Sequence, residues 1–166
     1  DRDLGRFKSE TLPDMLSTIE SLNGGGSYDN AIVIQLGDQM SDKMEMVAPY
    51  KAAIAGKSVG GRPLPFFHCI GNHDFANSDL KDLEPTSYNA SKTYVENFGP
   101  LDYSLNIGNA HIIVMNNMVV NEKDNWTRYN TVQCIGYKAA ITDEQLEWLK
   151  QDLAAVKEPH KKVAIL

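Results

Sequence analysis

The chain has 166 residues and a formal net charge of −6, with 42% hydrophobic and 23% charged residues. That length suits one domain, read as residues 1–166, and lets it bury about 68–70% of the surface of the unfolded chain. The composition excludes disordered, collagenous and disulfide-scaffold classes. The acidic balance argues against a nucleic-acid backbone as partner, and no apolar run approaches the roughly 20 residues of a membrane span.

The predicted elements alternate. Ser9–Leu22 carries Leu12, Met15, Leu16, Ile19 and Leu22 at helical spacing, with Pro13 near the start and Asn23-Gly24-Gly25-Gly26 as the stop. Ala31–Leu36 reads as a buried parallel strand. Ser41–Ala55 follows as a helix that Pro49 should kink. Pro65–Ile70 is the next apolar strand, then Phe75–Ser91 is polar and turn-rich, with a short helix up to Phe98.

Tyr103–Ile107 and His111–Met115 flank Gly108-Asn109 and predict a hairpin. Asn116 to about Ala140 reads as a long loop, a kind of segment that is often functional. Thr142-Asp143-Glu144-Gln145 is a capping box for a helix with Leu146, Leu149, Leu153 and Val156 on one face. Val163–Leu166 is a last strand. The order predicts an α/β domain with a mixed sheet.

Two strand ends carry the chemistry. The first strand runs into Gly37-Asp38 and the second into Gly71-Asn72-His73-Asp74. In an α/β sheet, ligands gather at the carboxyl ends of the strands, so both clusters are expected to face one crevice. A carboxylate, an amide oxygen and an imidazole suit hard-to-borderline cations. A carboxylate beside an imidazole is also how an acid–base histidine is oriented. The glycines permit sharp exits from the strands.

Together these residues resemble the calcineurin-like metallophosphoesterase superfamily, with its Gly-Asp element on one strand and Gly-Asn-His-Asp on the next. Tyr103–Met115 looks like the hairpin of that family, and Gln145-Leu146-Glu147-Trp148-Leu149 like its Gln-x-x-Trp-Leu helix. The resemblance spans about Leu12 to Leu166. It implies a mixed β-sheet sandwich flanked by helices, in αββα layers, and two divalent metal ions (Mn, Fe, Zn or Ni). Asp38 would bridge the two metals and Asn72 would ligate one. His73 would contact the phosphoryl group and protonate the leaving oxygen, while Asp74 would hold His73 in its working tautomer.

The reaction implied is hydrolysis of a phosphomonoester or phosphodiester substrate by two-metal activation of water. The family's opening Asp-x-His and its later histidine and Gly-His-x-His motifs have no counterpart here. With no initiator Met or signal peptide, and an apolar run at Leu166, the domain is expected to be incomplete at both ends and the isolated chain a weak enzyme. Localisation is left open. The alternative is a degenerate member that uses the same fold as a protein-binding module.

The remaining candidates have plainer readings. His68 is expected in the core, His111 in a structural role and His160 at a solvated helix end. Asp42 reads as a helix N-cap. Cys69 and Cys134 read as free thiols. Asn89-Ala90-Ser91 and Asn125-Trp126-Thr127 fit the glycosylation sequon by chance, and Trp126, Arg128 and Tyr129 read as loop-tip packing rather than substrate contacts.

Overall fold

A computed structural model describes residues 2–23, 31–40, 44–75, 87–120, 128–129, 132–133, 137–157 and 162–165. Asp42, Cys134, His160 and the sequon at Asn125 lie outside the described residues. The described strands form small mixed sheets and do not by themselves delineate the αββα sandwich that the resemblance implies. The chain is α/β, and its described strands pair in one three-stranded and four two-stranded sheets.

The first helix starts earlier than its periodicity suggests. Helix α1 (Arg2–Arg6) runs through a π-helical turn, Phe7–Thr11, into α2 (Leu12–Asn23). Pro13 is the cause we assign: it has no N–H to give its i−4 carbonyl, and the wider turn lets the Leu12 N–H reach the Phe7 carbonyl instead. Phe7 from this turn packs its ring 5.5 Å from that of Tyr50.

Strand β1 (Val33–Gln35) pairs in parallel with β4 (Phe66–His68), with Val33 opposite Phe66 and Gln35 opposite His68. Both strands are shorter than their apolar runs, and β1 is only half-buried. Between them, a 3₁₀ turn (Met44–Met46) leads into α3 (Val47–Ile54), and β2 (Ser58–Val59) pairs antiparallel with β3 (Arg62–Pro63). Pro49 falls in the first turn of α3, where a backbone N–H has no intrahelical partner to lose.

Helices α4 (Ser87–Ala90) and α5 (Lys92–Phe98) follow. Ser91 at their junction is fully buried and donates to the Tyr88 carbonyl at 3.1 Å, so the Asn89 sequon is built into packed structure. The predicted hairpin forms as β5 (Tyr103–Ile107) and β6 (Ala110–Val114), with Gly108 at φ 57° in the turn. The expected long loop after it is in part strand. Strand β7 (Met118–Val120), with Met118 and Val120 buried, pairs with β10 (Tyr137–Ala139), and β8 (Arg128–Tyr129) pairs with β9 (Val132–Gln133). The period-two signal in three residues was too short to stand out.

Helix α6 (Asp143–Ala155) opens on the expected capping box. Thr142 Oγ1 accepts from the Gln145 N–H at 3.2 Å, and Gln145 Oε1 accepts from the Thr142 N–H at 2.9 Å. The Gln145 amide also donates to Asp102 and to the Asn116 carbonyl, tying the helix start to the ends of the hairpin. Further along, Asp152 joins Ser104 at 2.6 Å and His111 at 2.6 Å, while the other His111 nitrogen lies 2.7 Å from Asn106. Burial pushes the Asp152 carboxyl up, but those hydrogen bonds outweigh it and hold it below the ordinary carboxylate range. His111 is thus structural, as expected. Strand β11 (Lys162–Ile165) runs parallel to β6 and completes the order β11-β6-β5.

The core gathers Met40, Val47, Ile70, Phe75, Ala90, Tyr94, Met118 and Val120, which come from both strand exits, α3, α4, α5 and β7. His68 sits at its aromatic edge, with Nε2 3.1 Å from the Tyr50 hydroxyl and its ring 5.0 Å from that of Phe98. Burial, aided by the charge on Lys51, lowers its pKa from 6.5 to about 4. Cys69 beside it is a buried free thiol, pushed up by burial.

His68 therefore makes folding sensitive to acid. Between pH 4 and 6.5 the unfolded chain holds a proton here that the folded chain does not, so stability falls as pH drops through that window. The pKa gap from 6.5 to about 4 is worth about 3 kcal/mol. Urea unfolding at pH 7 and pH 4.5 should show a smaller acid loss in His68→Gln than in the parent chain. An equal loss in both would remove His68 as the source.

Candidate active site

Because β1 and β4 are parallel, their carboxyl ends leave the sheet on the same side. The β1 exit is Leu36-Gly37-Asp38-Gln39-Met40, and the β4 exit is Cys69-Ile70-Gly71 followed by a 3₁₀ turn, Asn72–Asp74. The two exits touch through their backbones. A Cβ on Gly37 would stand 2.8 Å from Gly71 Cα, and a Cβ on Gly71 would overlap the Asp38 carboxylate and backbone nitrogen. The two glycines serve different ends. Gly37 has φ 110°, where side chains are strained, whereas Gly71 has an ordinary extended φ of −103° and is needed for the space alone.

Asp38 has φ 60° and is the sole described non-glycine residue in the left-handed region. This conformation breaks the strand alternation. Asp38 is exposed while the next two residues, Gln39 and Met40, are both buried. Its Oδ1 accepts the His73 N–H at 3.1 Å, which docks one predicted site residue on another. Asn72 and His73 are half-buried on the same turn.

Asp74 is fully buried, and the carboxylate spans the two exits. Oδ1 accepts the Met40 N–H at 2.7 Å and Oδ2 accepts the Gly71 N–H at 2.8 Å. Burial raises its pKa to about 6 against the pull of these N–H groups, and the nearby Asp38 charge adds to the rise. The resemblance assigned this carboxylate to the His73 ring. Its oxygens have a second employment, holding the loop that carries Asp38. Gln39 was not singled out from sequence, yet its Nε2 donates to the Cys69 carbonyl at 3.0 Å across the same junction. A polar residue placed directly after Gly-Asp was the available signal.

A family model, calcineurin-like phosphoesterase, matches residues 3–166. The chain belongs to the calcineurin-like phosphoesterase family. No curated protein and no solved structure matches it. Family members are generally hydrolytic phosphoesterases that use divalent metals. The donor chemistry of Asp38 and Asn72, a carboxylate and an amide oxygen, fits such cations. These two donors cover only part of a coordination sphere, and the described residues bring no group of three or more His, Cys, Asp or Glu together.

Beside the site, Leu36, Cys69, Ile70, Met115, Asn117, Ile141, Leu146, Leu149 and Ile165 line a groove of about 480 Å³. It lies where the exits of β1, β4 and β6 meet the end of β11 and the start of α6. The apolar face of α6 is thus turned to this groove and stays partly exposed, with Leu146 at 42%.

Proposed function

We propose that the chain carries the catalytic core of a metal-dependent phosphoesterase acting on a phosphate monoester or diester. In this reading Asp38 and Asn72 hold divalent cations of the Mn, Fe, Zn or Ni class at the strand exits, in a sandwich of the family type. When bound, such cations supply an acidified water and screen the charge on the phosphoryl oxygens. The His73 imidazole binds a phosphoryl oxygen and delivers a proton to the leaving oxygen. Asp74 acts on His73 through the turn that carries both, fixing its place relative to Asp38. The observation that carries the reading is Asp38: an exposed carboxylate held at φ 60° and bonded to the backbone of His73.

The degenerate, partner-binding reading is not favoured. A left-handed aspartate clamped from both sides costs stability, and strain of this kind is kept where it serves a site. A passive scaffold would have no use for it.

The test uses p-nitrophenyl phosphate and its bis-ester with Mn²⁺ added. The expected result is weak turnover that EDTA abolishes and Mn²⁺ restores. Asp38→Ala and His73→Ala should each lose at least about a hundredfold in rate while keeping the parent circular dichroism. Undiminished turnover in both variants would remove the mechanism.

A further inference from the structure

We propose that Gln39 is a positioning residue of this site, holding Asp38 in its left-handed conformation through an anchor on the Cys69 carbonyl. The inference rests on the phosphoesterase reading and adds to it a residue outside the metal and phosphoryl contacts.

Three connections fix the β1 exit. Gly37 lies against the Gly71 backbone, Met40 donates its N–H to Asp74, and Gln39 sits between them with its Nε2 on the Cys69 carbonyl. Asp38, whose own N–H is also held by the Asp74 carboxylate, is the residue of this stretch whose side chain is turned outward. With Gln39 and Met40 both turned inward, the chain must reverse at Asp38, and φ 60° is that reversal. Releasing Gln39 would let Asp38 relax toward the extended backbone that an aspartate prefers, drawing its carboxylate off the His73 N–H.

The same side chain bears a cost that packing does not require. Gln39 is 6% exposed, and its Oε1 is buried without a hydrogen-bond partner among the described residues. The amide cannot be turned to relieve this, because Oε1 would then meet the Cys69 carbonyl. A methionine would fill nearly the same volume with no orphaned oxygen. Retaining a half-satisfied amide directly after Asp38 marks a residue kept for what its donor end holds.

The test compares the parent chain, Gln39→Met and Asp38→Ala by three measurements. These are thermal unfolding without metal, amide hydrogen exchange at His73, and Mn²⁺ binding by calorimetry. Gln39→Met should melt within about 5 °C of the parent, a small shift for a chain of this size. Its His73 amide should exchange at least about tenfold faster while the amides of β6 are unchanged, and its Mn²⁺ affinity should fall about tenfold. Unchanged His73 exchange, unchanged Mn²⁺ affinity or a larger drop in melting temperature would each overturn the proposal, the last by making Gln39 a core residue. If Asp38→Ala binds Mn²⁺ as the parent does, the metal reading itself fails. The metal-free exchange at His73 still reports whether Gln39 holds Asp38.

Discussion

Gly71→Ala is expected to destabilise the chain by about 3–5 kcal/mol and to dismantle the site at the same time. The residue has an extended φ of −103°, so the backbone itself would accept alanine. The obstacle is Asp38, whose carboxylate and backbone nitrogen occupy the volume of the new methyl group. A flexible side chain could swing away, but a backbone nitrogen cannot move without its loop. Overpacking in a rigid site commonly costs about 1–3 kcal/mol. Here the displaced loop also gives up the Asp74 and Gln39 bonds that cross the junction. At about 2–4 °C per kcal/mol, the melting temperature should drop by about 6–20 °C. Turnover of aryl phosphate should fall to that of Asp38→Ala. A variant that melts with the parent would mean that the two exits do not touch.

Asp74→Asn should cost about 3 kcal/mol, although it changes neither size nor shape. The carboxylate is fully buried and accepts an N–H on each oxygen, from Met40 at 2.7 Å and Gly71 at 2.8 Å. An asparagine keeps one acceptor and turns an NH₂ group toward the other N–H, so one buried donor faces another. Hydrogen bonds to charged groups are worth about 1.5–3 kcal/mol, and stranding a buried partner adds its desolvation. Removing a buried charge whose pKa is raised to about 6 gives part of that loss back. Urea unfolding at pH 8, where the carboxyl with its pKa near 6 is ionised, gives the parent-minus-variant difference directly. A loss below about 1 kcal/mol would show that the clamp is dispensable. Asp74→Ala should be worse, because it strands both N–H groups and leaves a void.

How far the site was legible follows from the range of each interaction. Asp38, Asn72, His73 and Asp74 were singled out from sequence because they sit directly after two apolar runs, and parallel strands bring their carboxyl ends together. The separate duties of Gly37 and Gly71 were not legible. Gly37 is set by its own φ together with the Gly71 backbone, and Gly71 by a neighbour 33 positions earlier, Asp38. Gln39 was missed for the same reason, since its partner Cys69 lies 30 residues away. Pro49 was read as a kink in its helix and Pro13 as tolerable near a helix start. The first falls in the opening turn of α3, and the second closely follows a π turn whose Phe7 packs against Tyr50.

Sequence alone determined the local elements: two apolar strands, the Gly108 hairpin, the Thr142 capping box and the class of chemistry expected at the strand ends. Each is decided by contacts a few residues apart or by a repeating apolar period. Tertiary structure alone decided that Asp38 takes a left-handed backbone, that Asp74 clamps two loops, and that the face of α6 lines a groove. Those outcomes depend on groups 30 or more positions apart meeting within hydrogen-bond distance, and local patterns carry no record of that encounter.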